Sequence, residues 1–148
     1  MERPVSQPLT VPGTLESLTA IGAFVLAAAN AAGLGKKQAY SLRLAVDEIA
    51  TNVITHGYGE AGLLGDITLH ARVDEASLTI LLEDSAAEFD PRHSHTEGED
   101  ALDQPLEERP VGGLGVYLAE RSVDRLTYER VGDRNRTTFV VTREPQHT

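Results

Sequence analysis

Glu48 and Asn52 stand four residues apart in the run Asp47-Glu48-Ile49-Ala50-Thr51-Asn52-Val53-Ile54-Thr55-His56-Gly57-Tyr58. In a helix that spacing puts a carboxylate and an amide on one face, one turn apart. At 100° per residue Leu42, Ala45, Val46, Ile49 and Val53 form an apolar stripe, and Glu48 and Asn52 fall along its border. A carboxylate at such a border is partly desolvated and poised to take a proton. An amide oxygen one turn later is a neutral, hard donor suited to Mg²⁺. Taken alone, Glu-x-x-x-Asn reads first as the solvated face of an ordinary helix.

Two further groups lie downstream. Ile80-Leu81-Leu82-Glu83-Asp84 closes an apolar run on an acid, and Phe89-Asp90-Pro91 follows. A buried carboxylate at a strand end accepts a hydrogen bond from an exocyclic amine, whereas an exposed one merely terminates the strand. Gly112-Gly113-Leu114-Gly115 precedes a helical pattern. Glycines there permit close backbone approach, and helix-terminal amides attract phosphate; a hinge followed by a cap has the same composition. Neither a P-loop nor a Gly-x-Gly-x-x-Gly fingerprint is present. His93-Ser94-His95 beside Asp90 lacks a third ordered ligand, and no metal site is assigned to it.

The elements that must position these residues follow from periodicity. Val5 to Val11 reads as an opening strand, and Thr14 introduces a helix through about Ala32 that Gly33-Leu34-Gly35 ends. A second helix runs from about Lys36 to His56, with Gly57-Tyr58-Gly59 as its stop. Asp66 to Val73 and Ala76 to Leu82 alternate as an antiparallel hairpin turning at Asp74-Glu75. The stretch from about Ala86 to Val111 is acidic and aperiodic and reads as a mobile lid. A helix from Leu114 to about Asp124 and strands Leu126 to Val131 and Thr137 to Thr142 complete the order. The expected fold is α+β: a two-layer sandwich with a mostly antiparallel, mixed sheet and helices on one face.

Composition narrows the function classes. The 148 residues suit a single domain, read as 1–148, and a net charge of −10 argues against a nucleic-acid surface or an anionic membrane. There is no cysteine, which excludes thiolate chemistry and disulfides. The first residues lack a signal-peptide pattern and no apolar run is long enough to span a bilayer, so a cytoplasmic protein is expected.

In combination, Ala45-Val46-Asp47-Glu48 with Thr51-Asn52 and His56, Phe89-Asp90-Pro91, and Gly112-Gly113-Leu114-Gly115 with Tyr117-Leu118 resemble the GHKL ATPase superfamily of histidine kinases, gyrase and MutL. The chain looks most like its stand-alone anti-sigma factors with serine kinase activity, the RsbW and SpoIIAB type. The resemblance implies the Bergerat fold, with ATP and Mg²⁺ as cofactors. It also implies Glu48 as general base, Asn52 as Mg²⁺ ligand, Asp84 at the adenine amino group, Gly113 and Gly115 at the phosphates, and Thr137 near adenine. The implied partners are an anti-sigma-factor antagonist of the STAS type, a sigma factor, and a second copy in a homodimer. Its first glycine box commonly reads Asp-x-Gly, and here Asp84-Ser85-Ala86 places Ala86 at the glycine. A methyl there obstructs the site if the backbone needs φ > 0 or a ligand packs against it. Two alternatives stay open: a binding module of this fold with a weak or lost nucleotide site, and a partner-switching kinase that engages no sigma factor.

Overall fold

The computed structural model describes residues 2–88, 90 and 119–143. Two helices pack on a six-stranded sheet in which every described pairing is antiparallel. The strands are β1 (Arg3–Pro4), β2 (Leu9–Pro12), β3 (Asp66–Val73), β4 (Ser77–Asp84), β5 (Arg125–Val131) and β6 (Arg134–Thr142), and the helices α1 (Leu18–Ala31) and α2 (Lys36–Asn52). Their order in space is β1-β3-β4-β6-β5, and β2 also pairs with β3. Of the opening strand expected from Val5 to Val11 only Leu9 onward is strand; β1 precedes it, Val5 N–H still donates to Ala71 O at 2.9 Å, and the chain leaves the ladder from Ser6 to Pro8. Pro8 has no N–H to give to it.

α1 buries Ile21, Val25, Ala28 and Ala29, one helical stripe, against the sheet and α2. It ends as its glycines foretell. Gly33 has φ 81°, its N–H donates to Asn30 O, and Leu34 N–H donates to Ala29 O, a Schellman closure that only a residue tolerant of the left-handed region makes without strain. α2 buries Leu42, Ala45, Val46 and Ile49. It does not stop near His56 but continues as a π-helical segment, Val53–Gly59, which widens the turn directly after Asn52.

The sheet's inward face is graded. Register sets Val73, Leu78 and Val141 in one row, Ala71, Ile80, Phe139 and Leu126 in the next, then Leu69, Leu82, Thr137 and Tyr128, and last Ile67, Asp84, Asn135 and Arg130. It runs from wholly aliphatic to largely polar. A buried aliphatic side chain stabilises by about 1.5–3 kcal/mol, so polar residues in the last two rows forgo stability that Leu or Val would supply. That loss marks this end of the sheet as the candidate site. The segments expected as most of the lid, the Gly112 to Gly115 loop and the start of the third helix lie outside the described residues, of which 119–121 are helical.

Candidate functional site

Asp84 ends β4 with its side chain turned inward and 1% exposed. Its Oδ1 accepts from the Asn135 amide Nδ2 at 2.8 Å and from the backbone N–H of Ala86 at 3.0 Å. Its Oδ2 is buried and has no hydrogen-bond partner among the described residues, and the same holds for Oγ1 of Thr137, which lies diagonally across the same face. Such atoms are costly to leave unpaired, roughly 1–3 kcal/mol each, so an apolar core would not retain them. Burial raises the Asp84 pKa, against the lowering effects of Asn135, the Ala86 N–H, Arg130 and Arg134. The group is a desolvated acceptor held in one orientation.

Asn135 does most of the holding, and sequence reading did not single it out. Beyond Asp84, its Nδ2 donates to Ala87 O at 3.1 Å and Ala86 O at 3.3 Å, while its Oδ1 accepts from Tyr128 Oη and from Arg130 Nη1 at 3.1 Å. Arg130 Nη1 also donates to Ala86 O at 3.0 Å. Residues 86 and 87, expected as the start of the lid, are therefore fastened to β5 and β6. The signal that could have found Asn135 is its place on the inward parity of β6, in register with Asp84, but β6 begins at Arg134, three residues before the strand expected from Thr137.

Ala86 is buried and, like every described non-glycine residue, has no positive φ. The left-handed condition under which its methyl would strain the loop is not met.

Tyr58 joins this corner to the helix layer. It is buried, its hydroxyl donates to Asp66 O at 2.7 Å, and it accepts the Ser85 N–H at 2.9 Å, pinning the residue after Asp84. Its ring lies where a Cβ on Gly13 would come within 2.6 Å and one on Gly65 within 2.8 Å, so both positions need glycine for close approach. Gly57-Tyr58-Gly59 thus serves as a clamp as well as an ending.

Glu48 and Asn52 lie on α2 just before the π-helical segment. Glu48 is half-buried, and its pKa is raised first by burial and then by the neighbouring Asp47 carboxylate. Neither side chain hydrogen-bonds to a described residue, which leaves an aligned carboxylate and amide one turn apart for other use. Mg²⁺ is usually held by one or two protein groups together with substrate phosphates, so a single amide oxygen fits that role. No cluster of three His, Asp or Glu suited to a metal exists among the described residues.

The structure therefore brings Asp84, Ala86 and Thr137 together, with Glu48 and Asn52 on the helix whose continuation carries Gly57 onto Ala86. Gly113 and Gly115 lie outside the described residues. No described helix is long and apolar enough to cross a membrane.

Comparison with known proteins agrees with this geometry. The serine-protein kinase RsbW of Bacillus cereus is 28% identical over 125 residues, 84% of this chain and 77% of that protein. RsbW of Bacillus anthracis is 27% identical over the same shares. Among solved structures, the histidine kinase domain of the Erythrobacter litoralis EL346 blue-light activated histidine kinase is similar in fold, with a TM-score of 0.50 at 18% identity over 84% of this chain. This chain spans 59% of that one. The model of the histidine kinase-like ATPase domain matches residues 11–141, nearly the whole length, and the chain belongs to that family.

Proposed function

We propose that the chain is an ATP-dependent serine/threonine protein kinase that phosphorylates an anti-sigma-factor antagonist and, in the alternate state of the switch, holds a sigma factor. The observation that carries this reading is the pair of buried atoms without a partner among the described residues, Asp84 Oδ2 and Thr137 Oγ1, on one face of the sheet. An ionised carboxylate only accepts, which matches the exocyclic amine of adenine and rejects the carbonyl that guanine presents there. A threonine hydroxyl both donates and accepts and suits a neighbouring ring nitrogen. Asn135 and the Ala86 N–H fix the carboxylate by its other oxygen. Selectivity in this reading comes from a rigid acceptor.

Asn52 would hold Mg²⁺ through its amide oxygen, and the backbone at Gly113 and Gly115 would face the phosphates. Bound MgATP would supply the electrophilic phosphoryl group. Glu48 supplies the base: its raised pKa keeps the carboxylate basic enough to take the hydroxyl proton of the protein substrate. RsbW relatives, named as serine-protein kinases, support serine as the acceptor.

The direct test is incubation of the purified chain with MgATP and a candidate STAS-type antagonist, followed by mass spectrometry for phosphoserine, with Glu48→Gln in parallel. Transfer by the wild type and its loss in the variant is the expected result. Nucleotide binding without transfer to any antagonist would leave a regulatory ATP-binding module, and no adenine nucleotide binding would end the kinase reading.

A further inference from the structure

Gly57 and Ala86 face each other across the two layers of the site. A Cβ built on Gly57 would lie 3.0 Å from the Ala86 methyl, tighter than nine in ten real Cβ contacts, so that one side must give by a few tenths of an ångström, while its next neighbour, Val53 Cγ1, stands at an ordinary 3.8 Å. Neither residue has a positive φ, so neither needs glycine for its backbone. Space alone decides what each can be.

We infer that Gly57 and Ala86 are a complementary pair, in which the missing side chain at 57 makes room for the methyl at 86, and that Gly57 is thereby a positioning residue for Asp84. This rests on the nucleotide reading given above. A methyl has no rotamer by which to step aside, so a Cβ at 57 must be relieved by moving backbone. On the Gly57 side the next residue is Tyr58, whose hydroxyl holds the Ser85 N–H at 2.9 Å. Across from it, the Ala86 N–H holds Asp84 Oδ1 at 3.0 Å, and Ala86 O is fastened to Arg130 Nη1 at 3.0 Å and Asn135 Nδ2 at 3.3 Å. Displacement on the Ala86 side therefore reaches the Asp84 carboxylate through one hydrogen bond, and on the Gly57 side it reaches the backbone beside Asp84 through the Tyr58 hydroxyl.

Gly57→Ala, Ala86→Gly and the double variant test the pair by urea denaturation and by calorimetric titration with MgATP and MgGTP. In the wild-type background Gly57→Ala lowers the urea midpoint, weakens ATP binding about 10-fold and narrows the preference for ATP over GTP. In the Ala86→Gly background the same change costs less than about 2-fold in affinity and raises the midpoint, because alanine is the better helix former once the clash is gone. That reversal of sign is the signature of the pair. A Gly57→Ala chain that fails to fold while the double variant folds supports the pair equally. Equal midpoint losses in both backgrounds overturn it, and a lowered midpoint with unchanged nucleotide preference overturns the positioning role. Absence of nucleotide binding by the wild type overturns the kinase reading and the positioning role with it; the midpoints then judge the packing pair alone.

Discussion

Replacing Asn135 by alanine removes the one side chain that ties Asp84, the Ala86–Ala87 backbone, Tyr128 and Arg130 together. The bond to the Asp84 carboxylate contributes roughly 1.5–3 kcal/mol as a hydrogen bond to a charged group; the second amide hydrogen, shared between Ala86 O and Ala87 O, and the bonds that Oδ1 accepts from Tyr128 and Arg130 contribute roughly 0.5–1.5 kcal/mol each. Water entering the vacated space recovers part of this, and a net loss of about 3 kcal/mol follows. At this chain length each kcal/mol lowers the melting temperature by about 2–4 °C, so a drop of about 6–12 °C is expected in a thermal scan. The site responds as well. Asn135 is the foremost of the groups that favour the ionised form of Asp84, so its removal pushes that pKa further up from an already raised value. ATP affinity near neutral pH falls by roughly 10–100-fold, and the fall is partly reversed as pH rises and the carboxylate ionises. Titration calorimetry with MgATP at several pH values reads both effects. A variant that melts lower but binds ATP with the wild-type pH profile would show that Asn135 holds the sheet together and does not tune Asp84.

Three further outcomes follow from the same residues. Glu48→Gln should bind MgATP normally while phosphoryl transfer falls by about 10²–10⁴, measured in single turnovers, and a wild-type rate would remove Glu48 from the chemistry. Asp84→Asn should erode the preference for ATP over GTP in competition assays. The folded-state pKa of Asp84 is raised, so between its unfolded and folded values the native protein binds more protons than the unfolded chain. Wild-type stability therefore falls relative to Asp84→Asn as pH rises through that window, and urea midpoints that run parallel across it would contradict the burial assigned to the carboxylate. Tyr58→Phe strands the Ser85 N–H and Asp66 O and should lower stability by about 1–3 kcal/mol; an unchanged urea midpoint would mean that water replaces the hydroxyl without loss.

What could be read from the sequence was what repeats. Alternation located β3, β4 and β6, each with one buried face, and β5, whose inward side is half-buried, and the stripe from Leu42 to Val53 located α2 with Glu48 and Asn52 at its border. Asp84 was visible as the acid that ends an apolar run. Contacts between distant segments were not visible. Nothing local to Asn135 states that it faces Asp84, since that follows from the β4–β6 register. Likewise Gly57 and Tyr58 carry the ordinary composition of a helix end, and their work comes from Ser85, Ala86, Gly13 and Gly65 meeting them in space. The π-helical segment escaped for a related reason, because one wider turn does not alter residue types. The departure at Ala86 was legible as a departure, but its accommodation required the partner.

Consecutive acids at the end of β4 meet opposite fates. Asp84 turns inward without a full set of partners, while Glu83 turns to the other face, where His70 Nε2 lies at 3.1 Å, Arg136 Nε at 3.2 Å and Arg134 Nε at 3.5 Å. A strand that slid by one residue against its neighbours would exchange them, sending Glu83 into the core without the Arg134 and Arg136 guanidinium groups and setting the shorter Asp84 side chain on their face in its place. That exchange is penalised on both sides of the sheet at once. The guanidinium groups on the outer face thus act as a lock on alignment: they fix which of two chemically similar acids turns to the opposite surface.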